Sequence, residues 1–113
     1  MPTELTSAQR AIIEFAPKFG ELSTQTLFAD VWERPELSKR DRSLVTVAAL
    51  VALYRTNELP FHLKRAVENG LAQREIVEAI THLAFYAGWP CAATALNIAK
   101  SVYDTAAPQE TPP

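Results

Sequence analysis

The stretch LVTVAALVALY, residues 44 to 54, decides the fold class. Only Thr46 interrupts this apolar run, which falls well short of the roughly 20 residues that a membrane span needs. Ser38 followed by Asp41 has the spacing of a capping box, so we expect a helix to open there. Apolar residues point in every direction around this helix, which must therefore be covered on all sides. In so short a chain it either runs through the centre of a bundle or is covered by another subunit.

Two shorter segments precede this helix. Thr6 and Gln9 have the spacing of a capping box and predict a first helix that stops at Pro17 or soon after. Residues 22–32 form a second periodic segment, which Pro35 prevents from continuing as a regular helix. The second segment is interpreted as structural.

Three further helices are predicted after the central one. The fourth begins near Glu58, tolerates Pro60 in its first turn and ends at Gly70, which supplies a left-handed residue. The fifth covers about residues 73–87 and starts without a good capping residue. Gly88, Trp89 and Pro90 form the break before a sixth helix. Its inward residues are Ala95, Leu96, Ile98, Ala99 and Val102.

The sequence as a whole predicts an all-α, single-domain bundle of about six helices. The domain covers residues 1–106, and a proline-containing tail over residues 107–113 is predicted to be disordered. Three glycines in 113 residues leave little turn material for a sheet-rich fold. The formal net charge of −2, with acids and bases interspersed, provides no basic stripe for nucleic acid.

The sequence also indicates where the protein works. The beginning of the chain, MPTE, lacks the basic and apolar regions of a signal peptide. The single cysteine, Cys91, fits a reducing compartment and excludes dithiol chemistry within one chain. We therefore expect a cytoplasmic protein that does not enter the membrane.

His62 is the first candidate for chemistry. It lies on the edge of an apolar helix face, one turn beyond Glu58 and close in sequence to Arg55. A histidine at such a boundary, beside a carboxylate and a guanidinium, can act as an acid or a base near neutral pH. Taken alone, a single histidine of this kind is more often structural.

A second group of candidates lies on the fifth helix. One face of this helix is apolar, whereas the other carries His82, Phe85 and Tyr86 and is too aromatic for plain solvent exposure. One interpretation is a contact between the subunits of a homo-oligomer. The other places His82 and Tyr86, one turn apart, in a cleft at such a contact.

Cys91 and the histidines are also candidates for reactive or metal-binding groups. Cys91 follows Pro90 at a predicted helix N-terminus, where the helix dipole favours a thiolate, but without obvious cations nearby the sequence favours an inert, half-buried cysteine. Two histidines twenty residues apart, without a matching cysteine or aspartate cluster, do not make a metal site. No metal or other cofactor is expected.

Several of these motifs resemble the carboxymuconolactone decarboxylase family. The resemblance covers about residues 20 to 105. It implies the all-α alkylhydroperoxidase D-like fold and a homo-oligomer, often a hexamer built from trimers. The motifs that carry it are Leu37-Ser38, RSLVT at 42–46, ELPFH at 58–62, Gly70-Leu71, Glu75-Ile76, Glu78 and HLAFYAGWP at 82–90.

The family resemblance separates two enzyme classes. In the alkylhydroperoxidase D-type branch, a Cys-x-x-Cys pair precedes a histidine, and matching that histidine to His62 puts the cysteine positions at Arg55 and Glu58. The glutamate of that branch falls on Ser43. Because both thiols and the acid are missing, the resemblance argues against the peroxidase mechanism.

The resemblance to the decarboxylase branch implies a lyase without a cofactor that acts on a small carboxylated lactone or related carbonyl compound. His62 is then the candidate acid, and Glu58 orients it or tunes its pKa. Arg55 or Arg42 would hold the substrate carboxylates. The polar lining would be completed by His82, Tyr86 and Trp89.

Two other functions stay open from the sequence. One is a redox or peroxide-handling protein that works through Cys91 with an external thiol. The other is a non-catalytic oligomer or binding module in which His62, His82 and the aromatic residues pack an interface.

Overall fold

The computed structural model describes residues 5–106, which form two compact units that divide between Lys39 and Arg40. Every regular element in this range is helical, which confirms the all-α prediction. The predicted tail over residues 107–113 lies outside the described residues, and the single domain over residues 1–106 stays a prediction. None of the helices between residues 5 and 106 combines the length and the apolar character needed to cross a membrane.

The first unit begins with a capped helix, α1 (Ser7–Phe15). The backbone N–H of Gln9 donates to the Thr6 hydroxyl over 3.1 Å, and the Thr6 N–H donates to the Gln9 side chain over 2.6 Å. This reciprocal pair is the predicted capping box, and it satisfies two amide donors that would otherwise lack partners. The predicted start of the first helix is therefore confirmed.

The segment after Pro17 differs from the prediction of one periodic helix. Helix α2 (Pro17–Glu21) opens at this proline, because a proline in the first turn loses no helical hydrogen bond. A π-helix (Leu22–Phe28) and a 3₁₀-helix (Val31–Glu33) follow. Gly20 makes a close approach possible, since a Cβ there would lie 2.8 Å from Cγ2 of Ile13.

The second unit contains α3 (Lys39–Ala52), α4 (Leu59–Glu68), α5 (Gln73–Leu83) and α6 (Trp89–Ala106). Helix α3 was expected to be covered on all sides, but the described residues cover one side of it. Ser43, Val47 and Val51 are buried, whereas Val45 is 60% and Leu53 is 67% exposed. The remaining apolar face of α3 is open in the single chain.

Helices α3 and α4 end in the same way, with one residue in the left-handed conformation. Tyr54 N donates to Val51 O over 3.1 Å, and Arg55 N donates to Leu50 O over 2.8 Å. This pair closes α3 around a residue in the left-handed conformation. At the end of α4 that residue is Gly70, as predicted, with φ of 108°. At the end of α3 it is Tyr54, with φ of 59°, which the sequence did not reveal.

Helix α5 is shorter than predicted. It ends at Leu83 rather than near residue 87, and residues 84–87 form successive turns. At its start, the Ala72 N–H donates to Oε1 of Glu75 over 2.9 Å, which is the acidic half of a capping box, although Ala72 supplies no side-chain cap. Arg40 of α3 forms an ion pair with the same carboxylate, which ties the starts of the two helices together.

The core of the second unit lies where α4, α5 and α6 meet. Leu63 and Ile80 have no exposed surface, and small alanines on α6 let the helices approach closely. The phenolic O–H of Tyr103 crosses this core and donates to the backbone oxygen of Leu63 over 3.0 Å. Burial raises the pKa of Tyr103 to about 12, so this donor keeps its proton at neutral pH. The buried apolar residues are Val47, Val51, Leu59, Leu63, Ala66, Leu71, Ile76, Ile80, Ala92, Ala95, Ala99 and Tyr103.

We predict that Tyr103→Phe lowers the free energy of unfolding by about 1 kcal/mol, because it removes this hydrogen bond but keeps the packed ring. Urea unfolding followed by circular dichroism measures the change. Tyr54→Phe, which removes an exposed hydroxyl, is the matched control and should stay near the wild-type value. Equal unfolding midpoints for Tyr103→Phe and the wild type would contradict the prediction.

Candidate functional site

Helix α4 places His62 at the boundary between the core and the surface. Glu58 precedes the helix and Pro60 lies in its first turn, which suits a residue without an N–H. The His62 N–H faces the Glu58 carbonyl at 3.5 Å, which closes that turn. Leu63, the next residue, is fully buried, and His62 is half-buried beside it.

The imidazole of His62 has an unusual set of neighbours. Its ring meets the ring of Phe61 edge to face, with centroids 5.0 Å apart and an angle of 87° between the planes. Its Nδ1 is enclosed and has no hydrogen-bond partner among residues 5–106. Buried polar atoms are normally paired, so an unpaired one on a titratable ring marks a candidate functional group.

The charges around His62 shift its pKa in opposite directions. Burial lowers the pKa of His62 below its ordinary value, and the positive charge of Arg65 lowers it further. The negative charge of Glu58 opposes both effects by raising this pKa. The pKa of His62 moves down overall because burial and Arg65 outweigh Glu58, and the role expected of Glu58 stays a prediction.

Arg65 is a residue that the sequence analysis missed. It lies one helical turn after His62 and is half-buried. Its guanidinium carbon lies 5.8 Å from the centre of the Phe61 ring, the same ring that His62 contacts. The spacing of three residues along a helix was the signal that could have identified it.

The two arginines predicted to bind substrate lie on different parts of the second unit. Arg55 is exposed in the turn after α3, and Arg42 is half-buried near the start of that helix. The Arg42 carbonyl accepts a hydrogen bond from the Thr46 hydroxyl over 2.8 Å, a contact within α3. That either guanidinium reaches a substrate at His62 stays a prediction.

Ser43 occupies the position where the peroxidase branch was expected to carry an acid. Its side chain is buried, and its hydroxyl oxygen accepts a hydrogen bond from Nδ2 of Asn69 over 2.9 Å. This bond joins α3 to the residue that ends α4. The position therefore holds a neutral polar contact between two helices.

His82 on α5 and three aromatic residues that follow the end of this helix form a surface cluster, which we define as His82, Phe85, Tyr86 and Trp89. The rings of His82 and Tyr86 stack with centroids 4.8 Å apart, although Tyr86 lies in the turns after α5 and not on the helix as predicted. Phe85 and Trp89 meet edge to face at 5.8 Å. The exposed fractions of Phe85, Tyr86 and Trp89 are 76%, 79% and 65%. This aromatic cluster is an apolar surface of the single chain.

Cys91 lies in the first turn of α6 and is half-buried with a free thiol. The structure places it where the sequence predicted it, and its reactivity stays open. Within the described part of the chain, no three histidine, cysteine, aspartate or glutamate side chains gather closely enough to hold a metal ion.

A groove of about 350 Å³ runs between α4 and α6. Pro60 and Lys64 line it from α4, and each lies two residues from His62, or about 200° around the helix. The groove and the His62 ring are therefore on different sides of α4. The other lining residues are Ile98, Ser101, Val102 and Thr105.

The all-helical fold agrees with the comparison to known protein families. Residues 17–101 match the carboxymuconolactone decarboxylase family. Because the match covers most of the chain, the protein belongs to that family, as its motifs suggested.

Relatives within the family include two named decarboxylases. A 4-carboxymuconolactone decarboxylase of Acinetobacter baylyi is 38% identical over 90 residues, which cover 80% of this chain and 67% of that protein. The nitrosuccinic acid decarboxylase of Metarhizium robertsii is 33% identical over 94 residues, covering 83% of this chain and 66% of that protein. The chain thus spans about two thirds of the length of these relatives.

The lowered pKa of His62 predicts how stability depends on pH. The unfolded chain protonates this residue near its ordinary pKa of 6.5, whereas the folded chain does so at a lower pH. The stability gained from the neutral ring is therefore fully present above pH 6.5 and is lost as the pH falls through the folded-state pKa. We expect the wild type to lose stability on acidification and His62→Asn to lack this part of the loss.

Urea unfolding at a series of pH values measures this dependence. His82→Asn, which removes the other histidine from an exposed position, is the matched variant. An identical dependence on pH in His62→Asn and the wild type would contradict the prediction.

Proposed function

We propose that the protein is a decarboxylase that acts on a small carboxylated lactone or a related compound without a cofactor, using His62 as its acid–base residue. Family membership and the two decarboxylase relatives support the reaction class. The observation that supports the site is the half-buried His62 ring with Arg65 and Glu58 acting on its charge.

The two compounds named for the relatives share a chemical feature. In 4-carboxymuconolactone and in nitrosuccinic acid, the carbon that carries a carboxylate is joined to a group that accepts an electron pair. That group is a conjugated lactone carbonyl in the first compound and a nitro group in the second. When the carbon–carboxylate bond breaks, its electron pair moves onto the oxygen of the accepting group and carbon dioxide leaves.

The protein must stabilise the negative charge that develops on this oxygen. His62 donates a hydrogen bond to this oxygen and transfers the proton, because a hydrogen bond aimed at a developing oxyanion lowers the barrier. Arg55 or Arg42 holds the carboxylates, and Glu58 acts on the charge of His62. The aromatic side chains of His82, Tyr86 and Trp89 complete the lining of the site.

We expect the purified protein to release carbon dioxide from 4-carboxymuconolactone, and His62→Asn to do so at a rate lower by roughly 100-fold or more. Nitrosuccinic acid serves as a second substrate in the same assay. Lys64→Gln, an exposed neighbour on the far side of α4, is the matched control and should keep the wild-type rate. Full turnover by His62→Asn would exclude the proposed role of this residue.

The assay also separates the alternative functions. Peroxide consumption that depends on Cys91, with no release of carbon dioxide, would favour the redox protein. Neither reaction, in an assembled protein whose aromatic residues are buried, would favour the non-catalytic module.

The protein is further proposed to act as a homo-oligomer, a trimer or a hexamer. Two exposed apolar surfaces support this assembly: the aromatic cluster, and the open face of α3 with Val45 together with Leu53 just after the helix. Apolar patches of this kind usually meet a partner. A symmetric assembly would cover them with other copies of the same chain.

We predict that Phe85→Ser shifts the protein towards smaller species, because it removes a ring that is 76% exposed in the single chain. Sedimentation velocity at several protein concentrations measures the change. Asn97→Ser, an exposed polar change on α6, should leave the assembly intact. A wild-type protein that sediments as a monomer at all concentrations would contradict the proposed assembly.

A further inference from the structure

The open face of α3 carries a strip of exposed apolar residues. Val45, Ala49, Ala52 and Leu53 are all exposed, and their spacing of three or four residues along the chain places them on one side of the helix. Leu53 follows the last residue of α3 but continues this side, because its N–H donates to the Ala49 carbonyl over 2.9 Å. We call these four residues the α3 strip.

The shape of the α3 strip suits a second copy of the same helix. Ala49 lies midway between Val45 and Leu53, so a small side chain lies at the middle of the strip and larger ones lie near its ends. Small side chains at a contact let two helices approach closely. If a second copy is related by a two-fold axis at Ala49, Val45 meets Leu53 of the partner subunit. The strip of one copy then covers the strip of the other.

The charges at the two ends of the strip are complementary in the same arrangement. Asp41 and Arg42 lie at the start of α3, whereas Arg55 and Glu58 follow its end. In an antiparallel pair these ends meet, so Asp41 approaches Arg55 of the partner subunit and Arg42 approaches Glu58 of the partner subunit. A parallel pair would instead bring each charge close to its own copy. The charges therefore favour the antiparallel pair.

The antiparallel pair also brings together the two arginines proposed to bind substrate. Within one chain, Arg42 and Arg55 lie at opposite ends of α3, about 20 Å apart along its axis. A small carboxylated lactone is far shorter than this separation, so the two arginines of one chain are poorly placed to hold it together. Across the pair, Arg42 of the partner subunit would lie beside Arg55, in the turn that leads into α4 and His62.

We propose that two copies of the chain pair through the α3 strip in antiparallel orientation, and that Arg55 and the partner subunit's Arg42 bind the carboxylates of one substrate. The substrate-binding part of this inference rests on the proposed function. A hexamer with D3 symmetry contains two-fold contacts, whereas a closed trimer does not. Of the two proposed assemblies, the α3 contact therefore selects the hexamer.

The arginines can serve both the contact and the substrate. A guanidinium group has five N–H donors, so it can pair with an acid of the other copy and still donate to a substrate carboxylate. Arg55 forms no ion pair with another residue between 5 and 106, so its charge is available to a second copy. Glu58 and Asp41 offset the two positive charges when no substrate is bound.

Cysteine cross-linking tests the position of the two-fold axis. Ala49→Cys is combined with Cys91→Ser, which removes the native thiol, and the protein is oxidised with diamide. We expect a disulfide-linked dimer on a denaturing gel, because the axis brings the two thiols together. Asn97→Cys in the same background, an exposed position on α6, is the matched control and should form much less dimer. Equal amounts of dimer in the two variants would overturn the pairing.

A second pair of variants tests the direction of the helices. Val45→Cys and Leu53→Cys, each combined with Cys91→Ser, are oxidised separately and after co-expression. We expect most of the cross-linked dimer in the co-expressed sample. Dimer formed mainly by Val45→Cys alone would show a parallel pair and overturn the antiparallel one. An oligomeric protein without cross-links at Val45, Ala49 or Leu53 would show that another surface forms the contact and would overturn the pairing.

Subunit complementation tests the shared substrate site. We expect Arg42→Ala and Arg55→Ala, each expressed alone, to release carbon dioxide at rates lower by roughly 10-fold or more. Co-expression of the two variants should restore about a quarter of the wild-type rate, because about half of the pairs then combine both variants and keep one intact site. A co-expressed sample no more active than the separate variants would overturn the shared site.

The two parts of the inference fail separately from the proposed function. Absence of turnover by the wild type with both substrates would contradict the proposed function, while the cross-linking experiments would still decide the pairing. Turnover by a wild type that does not cross-link at the α3 strip would support the proposed function and overturn the inference.

Discussion

The packing of α4 against α6 is the contact on which the second unit and its candidate site depend. Leu63 on α4 is fully buried, and Tyr103 on α6 donates a hydrogen bond to its backbone oxygen. Successive side chains on a helix differ in direction by about 100°, so the inward orientation of Leu63 leaves His62 at the boundary of the core. The half-burial that lowers the pKa of His62 therefore originates in the packing of its neighbour.

Local signals in the sequence predicted those parts of the fold that local chemistry controls. The capping box at Thr6 and Gln9 is present, and Gly70 ends α4 in the left-handed conformation. In both cases a few neighbouring residues satisfy each other's hydrogen bonds, so no distant contact is needed.

Features that depend on packing between elements could not be predicted in the same way. The sequence pattern places apolar residues around α3 and so predicts that the helix is covered, but it does not show what covers it. In the single chain, Val45 on α3 and the adjoining Leu53 are exposed. The π-helix after α2 has no local signature in the sequence. Arg65 was missed because its effect on His62 depends on the half-burial of both side chains, which periodicity alone does not supply.

At Tyr54, the backbone conformation favours a different residue from the one that the sequence contains. Its φ of 59° is a conformation that glycine or asparagine adopts at lower cost, and its side chain is 55% exposed. The stability of the isolated chain would therefore favour a different residue at this position. When sequences of the family are compared, drift towards glycine or asparagine here would identify members in which the backbone alone determines the residue. A retained aromatic would identify members in which selection acts on the side chain.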